Sequence, residues 1–279
     1  MSYQLVKAFI RRAGIAFLPA IAAFALVTFT PPVCSGENPD KKGEWEFQVA
    51  PYMWALSLDG DITVKGQKSD LDVDFSDIWD QLNMAGMLAF EGRKGNWGFF
   101  GDAIYADLGD ETKVDGIRID PDMELMMITL GGFYRLGTWD ASNAPGGKAP
   151  TVTVDALVGG RYTYLDMELD IKGPFGKLDP QGDQDWFDPF VGIRTIWDFS
   201  ERWSLSLDGG VGGFGVGSDF AWHACGVIGY RFSLFGKNNA RVVAGYRALS
   251  MDYTNGSGNK KFEWDVTMHG PIIGLVIQF

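Results

Sequence analysis

The residues able to do chemistry in this chain are its carboxylates, two histidines and a cysteine at position 225. Asp70, Asp72, Asp74 and Asp77 recur at a spacing that sets carboxylates along one side of an extended segment, with Asp80 close behind. Hard oxygen donors of this kind suit Ca²⁺ or Mg²⁺. The segment lacks the glycine that turns an EF-hand loop. The expectation is therefore a loop that binds Ca²⁺, or bridges anionic neighbours through Ca²⁺ or Mg²⁺, against the plainer alternative of a solvated acidic loop. In Ala221-Trp222-His223-Ala224-Cys225 an imidazole stands two residues from a thiol, the outline of a base and a nucleophile. No Asp-x-His element accompanies His223 or His269. The prediction is no catalytic residue, no enzyme, and no cofactor beyond the cations named.

A second group of charges is set out differently. Glu91, Arg93, Asp102, Arg135, Asp155, Arg161, Asp188, Arg194, Asp208, Arg231 and Arg247 each sit in a run that alternates polar with large apolar side chains. Val152, Val154, Ala156, Val158, Tyr162 and Tyr164 fall on one face of such a run, and Thr153, Asp155, Arg161 and Thr163 on the other. Successive side chains of a β-strand point to opposite faces, so a period of two separates an apolar face from a charged one. Phe187, Val191, Ile193 and Trp197 oppose Asp188 and Arg194 in the same way, and Ile228, Tyr230 and Phe232 oppose His223, Cys225 and Arg231. This parity turns His223 and Cys225 to the charged side. Opposite charges such as Arg135 with Asp155, and Arg194 with Asp208, are expected to pair. They form either a structural network or the lining of a narrow hydrophilic pore.

The elements that must carry these residues are ten strands: 45–54, 84–93, 97–108, 123–136, 151–167, 186–199, 203–214, 220–233, 240–253 and 262–279. Trp45, Trp97, Tyr105, Tyr134, Tyr164, Trp197, Trp203, Tyr230 and Tyr246 fall near the ends of the apolar face, as in the two aromatic girdles of a membrane barrel. A tilted barrel strand needs about 9–11 residues and a membrane helix about 20. The body of the chain has apolar runs suited only to the former. The predicted fold is an all-β, antiparallel, up-and-down transmembrane β-barrel of ten strands, with eight or twelve also compatible with the spacing. An even count places both ends in the periplasm. Pro51, which cannot donate to a ladder, and Gly270-Pro271 predict bulges that switch the outward face. Phe75 to Leu82 predicts a short helix with Ser76 as its N-cap.

Lys7, Arg11 and Arg12, then the apolar run Ile15–Phe29 and Val33-Cys34-Ser35, have the order of a secretory signal peptide. The expected organisation is a signal peptide at 1–35, a periplasmic spacer at 36–43 and a barrel at 44–279. Loss of Cys34 with the signal leaves Cys225 without an intramolecular disulfide partner. The formal net charge of −12 excludes nucleic acid, whose phosphates need clustered Lys and Arg. The chain also stops on Phe279 in mid-pattern, as a last strand that closes a barrel would.

Three stretches carry a resemblance. Val49-Ala50-Pro51-Tyr52-Met53-Trp54, Asp70-Leu71-Asp72-Val73-Asp74-Phe75-Ser76-Asp77 and Trp97-Gly98-Phe99-Phe100-Gly101-Asp102 look like a group of uncharacterised proteobacterial outer-membrane barrels, loosely similar to opacity-protein and OmpA-type small barrels. The resemblance implies a bacterial outer-membrane location, with lipid and lipopolysaccharide as surroundings and the barrel-assembly machinery as a partner in biogenesis. It supplies no site residue. The functional expectation is a monomer of structural or narrow-channel type for small solutes. The alternative is a surface barrel whose acidic loops bind divalent cations, envelope components or another cell, with an outer-membrane hydrolase as a third reading.

Overall fold

The computed structural model describes residues 43–279 except 81, 110–111, 115–116, 142–149, 174–175, 179–180 and 235–236. The expected signal peptide, and all but the last residue of the expected spacer, fall outside them. In chain order the strands are β1 (Glu46–Trp54), β2 (Ser57–Val64) and β3 (Gln67–Val73), followed by helix α1 (Phe75–Asp80). Then come β4 (Leu82–Lys94), β5 (Trp97–Gly109), β6 (Thr112–Val114), β7 (Ile117–Asp140), β8 (Thr151–Gly173), β9 (Gly176–Leu178), β10 (Gln181–Asp198), β11 (Trp203–Gly212), β12 (Phe220–Leu234), β13 (Lys237–Asn255) and β14 (Phe262–Gln278).

Ten of these close a ring in the order β1-β4-β5-β7-β8-β10-β11-β12-β13-β14, and β14 returns to β1. Every pairing is antiparallel. The ring is the predicted barrel, and its strands contain the predicted ones almost residue for residue. Closure lies where the C-terminal aromatic predicts it: Phe47 N–H donates to the Phe279 carbonyl at 3.1 Å, and Phe279 N–H donates back at 3.0 Å. Closing the ring satisfies the backbone polar groups that hydrocarbon would leave orphaned along its strands. The wall is outwardly apolar, with Leu88, Leu130, Val158 and Ile193 exposed on it. Trp97 packs edge-on against Tyr134, and Trp203 against Tyr230, at strand ends joined by short turns.

The remaining strands extend the sheet outward, in stretches the alternation marks only as acidic loops. β2 continues β1 along β14 and folds back into β3, while β6 pairs with β7 and β9 with β8. β7 and β8 run to 24 and 23 residues, more than twice what a bilayer needs, whereas β11 has 10. The wall is therefore tall at β7–β8 and low at the β11–β12 connection.

Two expected bulges are absent, and both have one physical explanation. The β1–β14 ladder holds one register from Gln48 to Trp54, on both sides of Pro51, and the β13–β14 ladder runs through Gly270-Pro271 without a shift. Tyr52, Trp54 and Leu56, and then Phe262, Trp264, Val266 and Met268, are buried in the lumen rather than turned to lipid. The backbone keeps its alternation, and the polarity of the two faces inverts as the strands leave the membrane. Above the bilayer the wet side is outside, so the apolar residues go inside. The helix is also displaced slightly: the residue preceding α1 is Asp74, whose carbonyl receives the Ile78 N–H, so the N-cap position is Asp74 and not Ser76.

Candidate functional site

The structure places the eleven predicted lumen charges on the inner face, nine of them almost wholly out of solvent and Asp208 and Arg231 a little less so. At their centre is Arg194. Its guanidinium donates to Glu91 Oε2 at 2.7 Å and to Asp155 Oδ2 at 2.8 Å, and it lies 4.7 Å from the centroid of the Phe133 ring. Arg135 Nε donates to the other Asp155 oxygen at 2.9 Å. The side chains of Arg194, Glu91 and Asp155 are all 0% exposed. Since β4 and β10 stand four places apart around the ring, the Arg194–Glu91 pair spans the lumen as a chord. Taking ions out of water costs several kcal/mol each unless geometry and hydrogen bonds offset it, and these charges are held by paired, bidentate-like contacts.

The expected Arg135–Asp155 pair is therefore present, while the expected Arg194–Asp208 pair is not. Those two residues are directly opposite in the β10–β11 ladder, but Arg194 leans across the lumen instead. Two carboxylates lie within its reach there, against one beside it. The Asp208 carboxylate has His223 Nε2 at 3.9 Å. Parity identifies which residues face inward, and side-chain reach across a closed ring selects the partners.

Around this centre lie further contacts. Towards the end of the barrel with the short turns, Arg93 bonds to Glu46 and to the Gly95 carbonyl, and Arg231 to Asp198 and the Glu201 carbonyl. A cavity of about 20 Å³ beside Gln48, Arg231, Asn239 and Arg241 has room for about one water. Towards the outside, Tyr52 Oη donates to Asp102 Oδ2 at 2.9 Å, Arg161 faces Asp188 in register, and Arg247 lies 5.2 Å from the Trp54 ring centroid. Asp188 accepts from Trp186 Nε1, Ser218 N and Ser218 Oγ. Tyr52, Trp186 and Ser218 escape a search for charge, since only their inward parity or proximity marks them. Above this layer the lumen is filled by apolar side chains, among them Trp54, Leu58, Leu71, Ile78, Leu125, Met127, Trp264 and Met268.

The acidic residues occupy the outer surface of the extension. Asp70 and Asp72 are exposed on β3, opposite Asp61 and Asp59 of β2, and Asp74 leads into α1. The side chain of Asp77 lies outside the described residues. The ladders align Asp252, Asp265, Asp61 and Asp70 in one row across β13, β14, β2 and β3. Lys68 Nζ sits 2.7 Å from Asp61, and its hydrogen bond holds the Asp61 carboxyl below its usual range. Glu263 is lowered likewise by Lys261 and then Thr63. Among the described residues no three His, Cys, Asp or Glu side chains close up as a metal cage.

Cys225 and His223 are buried in the lumen, as parity predicts. In register Cys225 is flanked by Asp208 and Arg247. His269, on the outer wall, bonds through Nε2 to Asp59 and through Nδ1 to Tyr246 Oη at 2.7 Å. Sequence spacing misses this contact because Asp59 and His269 are 210 positions apart.

Neither a known protein family nor any curated protein matches the chain by sequence. Solved structures do. The chain is similar to the outer-membrane protease OmpT from Escherichia coli at 11% identity and a TM-score of 0.45, covering 91% of this chain and 99% of that one. It is similar to Ail, the attachment invasion locus protein of Yersinia pestis, at 11% identity and a TM-score of 0.33, covering 85% and 99%. Neisserial surface protein A matches at 12% and 0.31, covering 84% and 97%.

Proposed function

We propose that the chain is a bacterial outer-membrane barrel with a closed lumen, a structural and surface-presenting protein rather than an open pore. The observation that carries this reading is the Arg194–Glu91 chord, whose side chains have no solvent exposure. A conducting path at that level would need water among those groups. The apolar packing above it supports the same reading. The exposed apolar wall supports lipid and lipopolysaccharide as its surroundings, and the closed β1–β14 seam supports a monomer, since it leaves the ring no membrane edge for a second copy. Planar-bilayer recording of the purified, folded barrel tests this: no conductance steps are expected, and reproducible unitary steps would overturn it.

The aspartate row favours a second reading, in which the outer extension binds divalent cations and through them anionic envelope components. Like charges directly opposite in a ladder are destabilising, and a bound cation relieves that repulsion. Isothermal titration with calcium at millimolar concentration is expected to release or absorb measurable heat, and Asp61→Asn with Asp70→Asn to diminish it. A flat titration of the unmodified chain removes this reading and leaves the closed barrel standing.

A further inference from the structure

At one place in the wall, side chains stand where backbone hydrogen bonds stand elsewhere. The β10–β11 ladder ends at Phe190 opposite Gly212, yet β10 extends outward as far as Gln181. On the far side of the gap, β12 begins at Phe220 opposite Asp252, and β13 runs on to Asn255. Among the described residues no strand fills the notch between β10 and β13 above the short 213–219 connection. Three successive inward positions of β10 close it instead. Gln184 Oε1 accepts from Asn255 Nδ2 at 3.0 Å. Trp186 stacks on Tyr253 with centroids 4.5 Å apart and planes 11° apart. Asp188 fixes the foot by accepting from Ser218 N at 2.6 Å and Ser218 Oγ at 2.8 Å. Parting two amides and one aromatic pair opens this seam without breaking a ladder.

The surroundings of the seam differ on its two sides. β11 is only long enough to cross the hydrocarbon, so the foot of the notch stands at the edge of the outer leaflet. Phe187, Phe214, Val216 and Phe220 are all at least half exposed there, a continuation of the lipid-facing wall. Phe214 has φ +54, a left-handed conformation that bulky residues seldom adopt. Behind the seam lies the apolar upper lumen, in which Met123, Met127, Met251 and Met268 are buried. Methionine is unbranched and re-packs around varied shapes more readily than leucine or valine. Below that, the Arg194 chord bars the way to the periplasm.

We propose that the β10–β13 seam is a lateral entry through which a single-chain amphiphile of the outer leaflet inserts its hydrocarbon tail into the methionine-lined upper lumen. The polar head remains outside, beside Gln184 and Asn255. The tail leaves water or lipid for an adaptable apolar interior, and the occupied barrel stays sealed below. The seam and the pore question are independent, because this site opens to the side and needs no axial path.

The test uses the full barrel in lipid vesicles and 11-(dansylamino)undecanoate as the probe. Gln184→Cys and Asn255→Cys, in a Cys225→Ala background, are either joined by a short bis-maleimide or capped singly with N-ethylmaleimide. Saturable tryptophan-to-dansyl energy transfer, displaced by unlabelled fatty acid, is expected in the capped barrel and in the unmodified chain. Cross-linking should slow its onset at least tenfold. Equal onset in capped and cross-linked forms would overturn the entry route, and absence of any saturable component above empty vesicles would overturn the site. Should the triple variant fail to show the heat-dependent gel shift of a folded barrel, Tyr253→Ala in the natural chain decides. Its onset should be at least threefold faster than that of the unmodified protein, and an unchanged onset would count against the seam.

Discussion

At the scale of single residues, the lumen works by satisfying charges that burial would otherwise make costly. Asp155 is the shared partner: both Arg135 and Arg194 bond to it. Asp155→Ala leaves two guanidinium groups short of an acceptor in a dry place, and the expected loss is about 3–5 kcal/mol, the usual consequence of removing one member of a buried pair. Urea titration of the refolded barrel, followed by the heat-dependent gel shift, measures it. A cost below about 1 kcal/mol would mean that the arginines find water or another carboxylate. Residue-level alternation makes nearly all of this inner set legible, because a charge at one parity inside an apolar run has few other places to go. It does not reveal which residues bond. Glu91 and Arg194 are brought together by ring closure, and Asp59 and His269 by the pairing of β2 with β14.

At the scale of elements, two lessons come from β1, β2 and β14. The first is that one strand can reverse its polarity without reversing its backbone. Tyr52, Trp54 and Leu56 read as a new outward face, and they are the lower part of an inner core. That core needs close backbone approach at Gly270, where a Cβ would fall 1.8 Å from the Ala55 carbonyl oxygen. Gly270→Ala must therefore shift β14 from the β1–β2 junction, and a destabilisation of about 1–3 kcal/mol is expected, as for other overpacked sites. Gly86→Ala, where a Cβ meets nothing within 4 Å, is the control and should leave the temperature of the gel shift unchanged. The second lesson is that acidic composition hides a hairpin. β2 and β3 carry so many aspartates that alternation of Leu58, Ile62, Leu71 and Val73 is easily passed over. Lys68 at Asp61 steadies their ladder, and Glu263 of β14, itself paired with Lys261, holds the hairpin to β14 by accepting from Thr63. Both carboxyls are depressed in the folded state, so their stabilisation is complete above the ordinary carboxylate range and lost as pH falls below about 4. Amide-exchange protection of β3, corrected for the intrinsic rate, should decline from pH 6 to pH 3. Lys68→Gln should flatten that decline, and a pH-independent protection would remove the role assigned to these ion pairs.

At the scale of the whole molecule, the barrel is a stack of three environments: an ion-paired lower lumen, an apolar upper lumen and an acidic outer extension. The first two together account for the expectation of a bilayer recording without steps, and the low wall at β11–β12 sets the place of the side seam. Already legible in the sequence are the class of fold, the closing role of Phe279 and the inward parity of the charges, while the strand spacing points to ten and leaves eight and twelve open. These depend on a local period of two and on the chemistry of one face against the other, which any stretch of chain carries within itself. The bonding of Arg194 across the lumen, the inversion of polarity above the membrane and the meeting of β10 and β13 through side chains alone emerge only in three dimensions. Each of these depends on distances between residues far apart in the chain, which are set when ten strands of unequal length close into one ring.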